Sequence, residues 1–168
     1  MKKTVAIIDG YNVINRVEIF RRHLDVSLLS ARQALVRYCS RWLLDRRDYD
    51  EFVIVFDGNS SVMPYSVESR QGVRVLFTQT KEEADDRILA ILKDNVDRSA
   101  CVVISSDNYV AGNARILGAK VVDVDDFIRR LSVRNGQAVG RRPDVDDALS
   151  PAEERVINER LKKEWGLE

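Results

Sequence analysis

The chain has 168 residues and a formal net charge of zero, and 45% of its residues are hydrophobic and 32% charged, a composition typical of one globular domain. This balance excludes disorder over the whole chain and a strongly basic coat for nucleic acid, although a local basic patch stays open. No apolar run is long enough to span a bilayer, and Asp9 interrupts the apolar N-terminus too early for a signal peptide, so we expect a cytoplasmic protein without a membrane segment.

Apolar runs alternate with helical patterns over the first 131 residues. In chain order, the predicted elements are strand Val5–Ile8, helix Ser27–Leu44, strand Phe52–Phe56, strand Val73–Phe77, helix Lys81–Lys93, strand Cys101–Ile104, helix Tyr109–Leu117, strand Lys120–Val124 and helix Asp125–Leu131. The segment Ser60–Gly72 predicts a loop, and Ser30 with Gln33 forms a candidate capping box. The alternation predicts a three-layer α/β domain, with a central parallel sheet of four to five strands flanked by helices.

The composition changes after residue 131. The segment Ser132–Leu149 mixes glycine, proline and both signs of charge, which predicts a linker or mobile loop. Ser150 followed by Pro151 is typical of a helix start, and the charged residues after it predict a C-terminal helix. We therefore divide the chain into a domain over residues 1–131, a linker over 132–149 and a charged helix within 150–168.

The cysteines and the histidine offer little chemistry. Cys39 and Cys101 lie far apart, each in an apolar segment, and this pattern favours buried free thiols over a disulfide framework. His23 is the only histidine and lies in a charged stretch, so we assign it no catalytic role. A closed structural zinc site is therefore not expected.

Three aspartates, Asp9, Asp57 and Asp107, each follow a predicted strand. Because the carboxyl ends of parallel strands share one edge of a sheet, we expect these carboxylates to lie close together, with Asp85 and Asp86 of the next acidic segment pointing at the same edge. Convergent carboxylates repel one another, and a hard cation such as Mg²⁺ or Mn²⁺ relieves that repulsion through oxygen ligands. The alternative is that the aspartates cap helices or make turns.

Other polar residues near these aspartates are candidate ligands or substrate contacts. Asn12 could ligate the metal through its amide oxygen, hold a phosphate, or cap a helix. Ser105 and Ser106 could donate to a substrate phosphate or to Asp107, or act as helix caps.

Two arginines and two tyrosines are candidate contacts to nucleic acid. Arg70 and Arg74 border the loop after Asp57 and could hold a phosphate backbone, although charged pairs usually form a solvated surface. Tyr11 and Tyr65 lie in predicted edge loops, where each either stacks on a base or packs inside the protein.

Several familiar catalytic motifs are absent from the sequence. It has no G-x-G-x-x-G after the first strand, no G-x-x-x-x-G-K-[ST] and no G-x-S-x-G. It therefore does not favour a dinucleotide-binding enzyme, a P-loop protein or a serine hydrolase. Asp9-Gly10-Tyr11 also lacks the second aspartate of an aspartyl-phosphate phosphatase.

Four short segments stand out by their order and spacing: Ile7–Ile14 (Ile-Ile-Asp-Gly-Tyr-Asn-Val-Ile), Val55–Gly58, Glu83–Ile88 and Ser105–Asn108. Together they resemble the YacP-like branch of the NYN domain nucleases, within the PIN-like superfamily, over about residues 4–131. The resemblance implies a compact α/β fold with a central parallel sheet, and a Mg²⁺- or Mn²⁺-dependent endoribonuclease with an acidic metal site.

The resemblance also implies roles for individual residues. The implied metal-site carboxylates are Asp9, Asp85 and Asp107, with Asn12 and Asp57 beside them and Asp86 in support. Members of this branch are implicated in bacterial RNA decay, which implies single-stranded or messenger RNA as the substrate and the ribosome as a candidate partner.

The sequence departs from the family pattern in two places. Asn108 and Tyr109 follow Asp107 where many relatives carry a basic residue, so the phosphate contact expected there is missing. The resemblance is weak from Ser132 onward.

We therefore predict a metal-dependent endoribonuclease that hydrolyses RNA phosphodiester bonds, in mRNA decay on or near the ribosome. The predicted roles are metal binding by Asp9, Asp85 and Asp107, orientation of the attacking water or a second ion by Asp57 and Asn12, and RNA contacts by Arg70, Arg74, Ser105 and Ser106. The alternative is a catalytically inactive RNA- or ribosome-binding module of the same fold. A metal-dependent phosphatase or a DNA nuclease with the same carboxylates is a third hypothesis.

Overall fold

The computed structural model describes residues 3–45, 48–58, 68–70, 72–79 and 81–134 of the chain. Its strands are β1 Val5–Asp9, β2 Glu51–Phe56, β3 Glu68–Arg70, β4 Val73–Phe77, β5 Cys101–Ile104 and β6 Lys120–Val122. Its helices are α1 Gly10–Arg16, α2 Glu18–Arg21, α3 Leu28–Asp45, α4 Ala84–Asp94, α5 Asn108–Ile116 and α6 Val124–Arg134, with 3-10 turns over Arg22–Asp25 and Arg98–Ala100. None of these helices is both long and apolar enough to cross a membrane.

The chain divides into two compact units, Met1–Arg130 and Leu131–Glu168, and the sheet lies in the first. The predicted linker over 132–149 lies outside the described residues, apart from its first three, which belong to the last turn of α6. The predicted C-terminal helix within 150–168 lies outside them entirely.

The sheet has the strand order β3-β4-β2-β1-β5-β6. The five strands β4, β2, β1, β5 and β6 are parallel, which confirms the predicted parallel sheet. β1 is central, and its Ile7 lies opposite Val53 of β2 and Val103 of β5. The short edge strand β3 pairs antiparallel with β4. The prediction of a loop throughout Ser60–Gly72 is therefore wrong for β3, because Glu-Ser-Arg at a sheet edge has no apolar alternation to reveal a strand.

Helices cover both faces of the sheet, as predicted. On one face, Ile7, Val53 and Val103 pack with α4 and α5 in a core that includes Ile88 and Val110. All five residues are completely buried. This core fixes the position of α4 relative to the carboxyl ends of the strands.

The opposite face is aromatic and packs against α3 and α6. The Phe52 ring of β2 lies 6.0 Å from the Trp42 ring of α3 and 6.1 Å from the Phe127 ring of α6. The Trp42 and Phe127 rings stack with their centroids 4.6 Å apart. Cys39 is buried on α3 and Cys101 begins β5, and both are free thiols, as predicted.

Several local predictions need correction. Residues 10–25, for which no element was predicted, form α1, α2 and a 3-10 turn, because pieces this short carry too few turns for a helical period to show. The cap of α3 is Ser27, whose Oγ accepts a hydrogen bond from the Ser30 backbone N–H at 3.0 Å, so the predicted capping box at Ser30 is wrong. The strand predicted to reach Val124 ends at Val122, which leaves Asp123 between β6 and α6.

Candidate functional site

Four carboxylates approach the carboxyl edge of the sheet: Asp9, Asp57, Asp85 and Asp107, called here the acidic cluster. Asp9 is the last residue of β1, and Asp57 directly follows β2. Asp107 lies between β5 and α5, and Asp85 is the second residue of α4. The parallel strands thus deliver three of the carboxylates, and the packing of α4 delivers the fourth.

The carboxylates of the acidic cluster influence one another electrostatically. Asp9 is only 8% exposed, and its pKa is raised to about 6, mainly by this burial. The hydrogen bond from the Asn12 backbone N–H lowers the pKa, and the nearby carboxylates of Asp85, Asp57 and Asp107 raise it further. Burial also raises the pKa of Asp85, and the neighbouring carboxylates, led by Asp107 and Asp57, raise it further. The charged groups among the causes named for both residues are carboxylates, so the described part of the site concentrates negative charge.

Three of these carboxylates also cap helices. The Asp9 Oδ1 atom accepts from the Asn12 backbone N–H at 3.3 Å at the start of α1, and Asp107 Oδ1 accepts from the Tyr109 and Val110 N–H groups at 2.8 and 3.1 Å. Both residues therefore cap helices, as the alternative interpretation predicted, but a capping aspartate can also belong to a binding site. A carboxylate held by helix N–H groups is fixed in position at the strand end, which is what a binding site requires.

Asp57 caps a helix that is distant in sequence. Its Oδ1 accepts from the backbone N–H of Ala84, the first residue of α4, at 2.6 Å, and the Thr78 hydroxyl lies 3.5 Å from the same oxygen. The helix's own preceding residue, Glu83, makes no side-chain cap. Asp57 therefore ties the end of β2 to the helix turn that carries Asp85.

Asn12 and the two predicted serines connect the turns around the site. The Asn12 Oδ1 atom accepts from the Ser106 backbone N–H at 2.9 Å. Ser105, which is 1% exposed, accepts from the Asp107 backbone N–H at 3.1 Å. The Ser106 hydroxyl donates to Asp123 Oδ2 at 2.7 Å and accepts from the Val124 N–H at 3.2 Å. These side chains hold the strand ends in place.

Asp123 is an acidic residue at the same edge that the sequence analysis missed. It follows β6 directly, as Asp57 follows β2, and its Oδ1 accepts from the Asp125 N–H at 2.9 Å. The hydrogen bond from Ser106 is the main cause that lowers its pKa, whereas the pKa values of Asp9 and Asp85 are raised. The sequence pattern that could have identified Asp123 is an aspartate directly after an apolar run. The predicted strand extended to Val124 and therefore included Asp123.

The structure does not bring the two predicted RNA-binding arginines to the acidic cluster. Arg74 lies near the start of β4, and its Nε is 3.3 Å from Oε1 of Glu51, the first residue of β2. Arg70 pairs through its backbone with Val73, the first residue of β4. Both positions lie at the edge of the sheet where the parallel strands begin, opposite the edge where Asp57 lies. The structure therefore separates these two residues from the acidic cluster. Tyr65, a predicted base contact, lies outside the described residues.

A different arginine lies at the carboxyl edge. The Arg32 guanidinium of α3 donates from Nε to the Tyr11 hydroxyl at 2.8 Å, and a second contact joins its Nη2 to the same oxygen. It also lies over three aromatic rings: its Cζ is 5.4 Å from the Tyr11 ring centroid, 5.5 Å from that of Phe56 and 5.0 Å from that of Phe77. We call these four residues the Arg32 platform. No sequence pattern distinguishes Arg32, because it is one of several arginines along a helix.

The donor set of the acidic cluster fits a hard divalent cation. Within the described part of the chain, no three His, Cys, Asp or Glu side chains are already arranged to hold a metal ion. However, Mg²⁺ keeps several of its waters and is usually held by one or two protein carboxylates, so it does not require convergence of the whole cluster on one point. Carboxylates that repel one another are stabilised by such an ion, which takes oxygen ligands.

The fold is that of a PIN-like α/β domain. The family model of the YacP-like NYN domain matches residues 6–165, nearly the whole chain. The chain belongs to this family, which is a PIN-like nuclease family, and the family prediction is confirmed. The match also includes most of the segment after Ser132, where a weak resemblance was expected.

Two crystal structures of Rae1 (YacP) from Bacillus subtilis resemble this fold. One is of a mutant, with a TM-score of 0.61 and 20% identity over 95% of this chain and 82% of that chain. The other has a TM-score of 0.58 and 20% identity over 97% of this chain and 81% of that chain. At this level of identity the likeness shows the fold alone. No curated protein sequence matches the chain significantly.

Proposed function

We propose that this protein is a divalent-metal-dependent endoribonuclease that hydrolyses RNA phosphodiester bonds at the acidic cluster. The observation that carries the proposal is the meeting of strand-end aspartates from β1, β2 and β5 with Asp85 of α4 at one edge of a parallel sheet. Membership of a nuclease family supports the same reaction class. Family membership supports an RNA substrate. We propose that this substrate is mRNA on or near the ribosome and that the protein is cytoplasmic.

The candidate metal ligands in this proposal are Asp9, Asp85 and Asp107, of which one or two would hold the ion directly and the rest through its bound waters. When bound, Mg²⁺ or Mn²⁺ supplies positive charge against the phosphodiester and makes water more acidic. Asp9 is the most buried of the three candidate ligands and is fixed by the N-terminus of α1. Asp107 is fixed in the same way by α5, so two of the three carboxylates are preorganised before any ion arrives.

Asp57 and Asn12 are positioning residues for this site. Asp57 holds the first turn of α4, and with it Asp85, through the Ala84 N–H. Asn12 holds the turn before Asp107 through the Ser106 N–H. Asp57 is also exposed, so its carboxylate is open to water and is our candidate to orient the attacking molecule. In the hydrolysis, the water oxygen bonds to phosphorus and the bond from phosphorus to the leaving oxygen breaks. A carboxylate accepts the proton of the water, and the leaving oxygen takes up a proton from solvent.

The serines predicted as substrate contacts have a different role in this proposal. The Ser105 hydroxyl is almost completely buried against the Asp107 backbone, and the Ser106 hydroxyl is engaged with Asp123 and Val124. Both therefore support the position of Asp107 and do not meet the RNA directly.

The proposal is tested by cleavage of labelled single-stranded RNA with Mn²⁺. The wild type is compared with Asp85→Asn, with an EDTA control, and with Asp94→Asn, an identical change in an exposed residue at the other end of α4. We expect cleavage by the wild type and by Asp94→Asn, and loss of cleavage in Asp85→Asn and in EDTA. Single-stranded DNA and a simple phosphate ester, tested in parallel, separate a ribonuclease from a DNA nuclease and a phosphatase.

The same assay is then repeated with ribosomes translating a labelled mRNA. Because the net charge is zero, free RNA is expected to bind weakly, and a partner that delivers the substrate would raise the rate. Cleavage that occurs only with ribosomes supports the proposal in the form in which the ribosome delivers the RNA to the protein. Activity in neither assay, with full-length folded protein, would contradict it in favour of an inactive binding module.

A further inference from the structure

The Arg32 platform is a cationic and aromatic surface beside the acidic cluster. Its four members come from separate elements: Tyr11 from α1, Arg32 from α3, Phe56 from the end of β2 and Phe77 from the end of β4. The Phe56 and Phe77 rings stack at 5.7 Å, and the Tyr11 ring lies 5.1 Å from Phe56. Phe56 is fully buried, whereas Tyr11, Arg32 and Phe77 are half-buried and therefore reach the surface.

The platform adjoins the acidic cluster along the chain and across the sheet edge. Tyr11 is two residues from Asp9, and Phe56 directly precedes Asp57. Because neighbouring residues of a strand point to opposite faces, Phe56 lies on the α3 face and Asp57 follows on the α4 face. A nucleic-acid strand that crosses this edge of the sheet would contact the carboxylates on one face and Arg32 on the other.

Within the described residues, the charge of Arg32 is not paired with a carboxylate, since no ion pair joins it to a described acidic residue. Its guanidinium has five N–H donors, and the contacts with Tyr11 involve Nε and Nη2. No described residue accepts a hydrogen bond from Nη1, so this group is our candidate to bind an anion.

We propose that Arg32 binds a backbone phosphate of single-stranded RNA next to the scissile one, with its guanidinium held in position by the Tyr11 hydroxyl and by the Phe77 ring. This inference rests on the proposed nuclease function and names where its substrate lies. The guanidinium of arginine stays charged and binds phosphate oxygens through its N–H donors.

A purely structural role for Arg32 is the competing explanation, because guanidinium groups also stabilise aromatic clusters by packing. The two explanations differ in RNA affinity and in its dependence on salt. A phosphate contact adds about 0.7 to the slope of log affinity against log salt for a single strand, whereas a packing contact adds nothing.

The experiment measures binding of a short labelled single-stranded RNA by fluorescence anisotropy at several salt concentrations. All variants carry Asp85→Asn, so that binding is followed without cleavage, and binding is measurable whether or not the wild type is a nuclease. Arg32→Gln removes the charge and keeps part of the side chain. Arg32→Lys keeps the charge but loses the planar set of guanidinium N–H donors. Arg115→Gln is the control, because Arg115 is exposed on the last turn of α5, away from the sheet edge.

We expect Arg32→Gln to weaken RNA binding about tenfold and to lower the salt slope by about 0.7, while Arg115→Gln changes neither. Arg32→Lys is expected to weaken binding with the slope retained. Unchanged affinity and slope in a folded Arg32→Gln variant would overturn the proposal. If Arg32→Gln does not fold, Arg32→Lys decides, since unchanged affinity in that variant would also overturn it. RNA binding that depends on Arg32 without any cleavage by the wild type would support the platform and contradict the nuclease proposal.

Discussion

The side-chain oxygen of Asn12 accepts a 2.9 Å hydrogen bond from the backbone N–H of Ser106, which lies 94 residues later in the chain. Asn12 belongs to the first turn of α1, which Asp9 caps, and Ser106 directly precedes Asp107. This one contact therefore holds the turns that carry two of the proposed metal ligands next to each other.

Replacing Asn12 tests that relationship. Asn12→Ala leaves the partly buried Ser106 N–H without its acceptor, and we expect a loss of about 1–3 kcal/mol in the free energy of unfolding. Asn12→Asp keeps an acceptor oxygen and should lose less. Urea denaturation of the three proteins measures the difference, and an Ala variant as stable as the wild type would show that the hydrogen bond does not hold the turns.

Asp57 has a capping role that can be separated from its charge. Asp57→Asn keeps an oxygen that can accept from the Ala84 N–H, so we expect near wild-type stability, whereas Asp57→Ala should lose about 1 kcal/mol. Because both variants lack the negative charge, both should bind Mn²⁺ more weakly than the wild type. Equal stability of the Asn and Ala variants, measured by urea denaturation, would contradict the cap.

Gly10, the first residue of α1, packs against the Phe56 ring of the Arg32 platform. A Cβ at this position would lie 2.3 Å from Cε1 of Phe56, a fully buried ring. We therefore expect Gly10→Ala to destabilise the protein by roughly 1–3 kcal/mol through overpacking. Gly112→Ala on α5 is the matched control, because its Cβ meets no atom within 4 Å, and it should stabilise the helix by about 1 kcal/mol. Thermal melting distinguishes them, and similar shifts in both variants would rule out the close contact.

The raised pKa of Asp9 makes stability depend on pH. Its pKa is about 6 in the folded protein against 3.8 for an unperturbed aspartate, so ionisation costs the folded state about 3 kcal/mol once the pH exceeds both values. This penalty is absent below the lower pKa and develops as the pH rises towards the higher one. Asp9→Asn removes the charge and can still cap α1.

In EDTA, Asp9→Asn should therefore be more stable than the wild type at about pH 7.5, and the advantage should disappear at about pH 4. Urea denaturation at the two pH values measures it. A variant that is less stable than the wild type at the higher pH would contradict the assignment of Asp9 as a buried, uncompensated carboxylate.

Most of the sheet could be predicted from sequence because each parallel strand is a nearly continuous apolar run that ends at a polar residue or glycine. The same rule placed Asp9, Asp57 and Asp107 at one edge, since it depends only on the direction of the strands. It failed for β3, whose Glu-Ser-Arg sequence has no apolar signal, and for Asp123, where the strand was predicted two residues too long.

The arginines show why the rest of the site could not be predicted. Arg74 is close in sequence to the loop after Asp57. However, β4 runs parallel to β2, so the chain returns to the amino edge of the sheet before β4 begins, and Arg74 lies there beside Glu51. Arg32 is distant in sequence from every aspartate of the cluster and reaches the carboxyl edge only through the packing of α3 on the sheet. Neither position follows from local sequence pattern.

The most direct test of the account is calorimetric titration of the metal-free protein with Mn²⁺, comparing the wild type, Asp85→Asn and Asp94→Asn. The acidic cluster predicts binding by the wild type and by Asp94→Asn, and binding weakened at least about tenfold in Asp85→Asn, where one ligand is lost. Equal Mn²⁺ affinity in all three proteins, or no binding in any of them, would contradict a metal centre at this edge of the sheet.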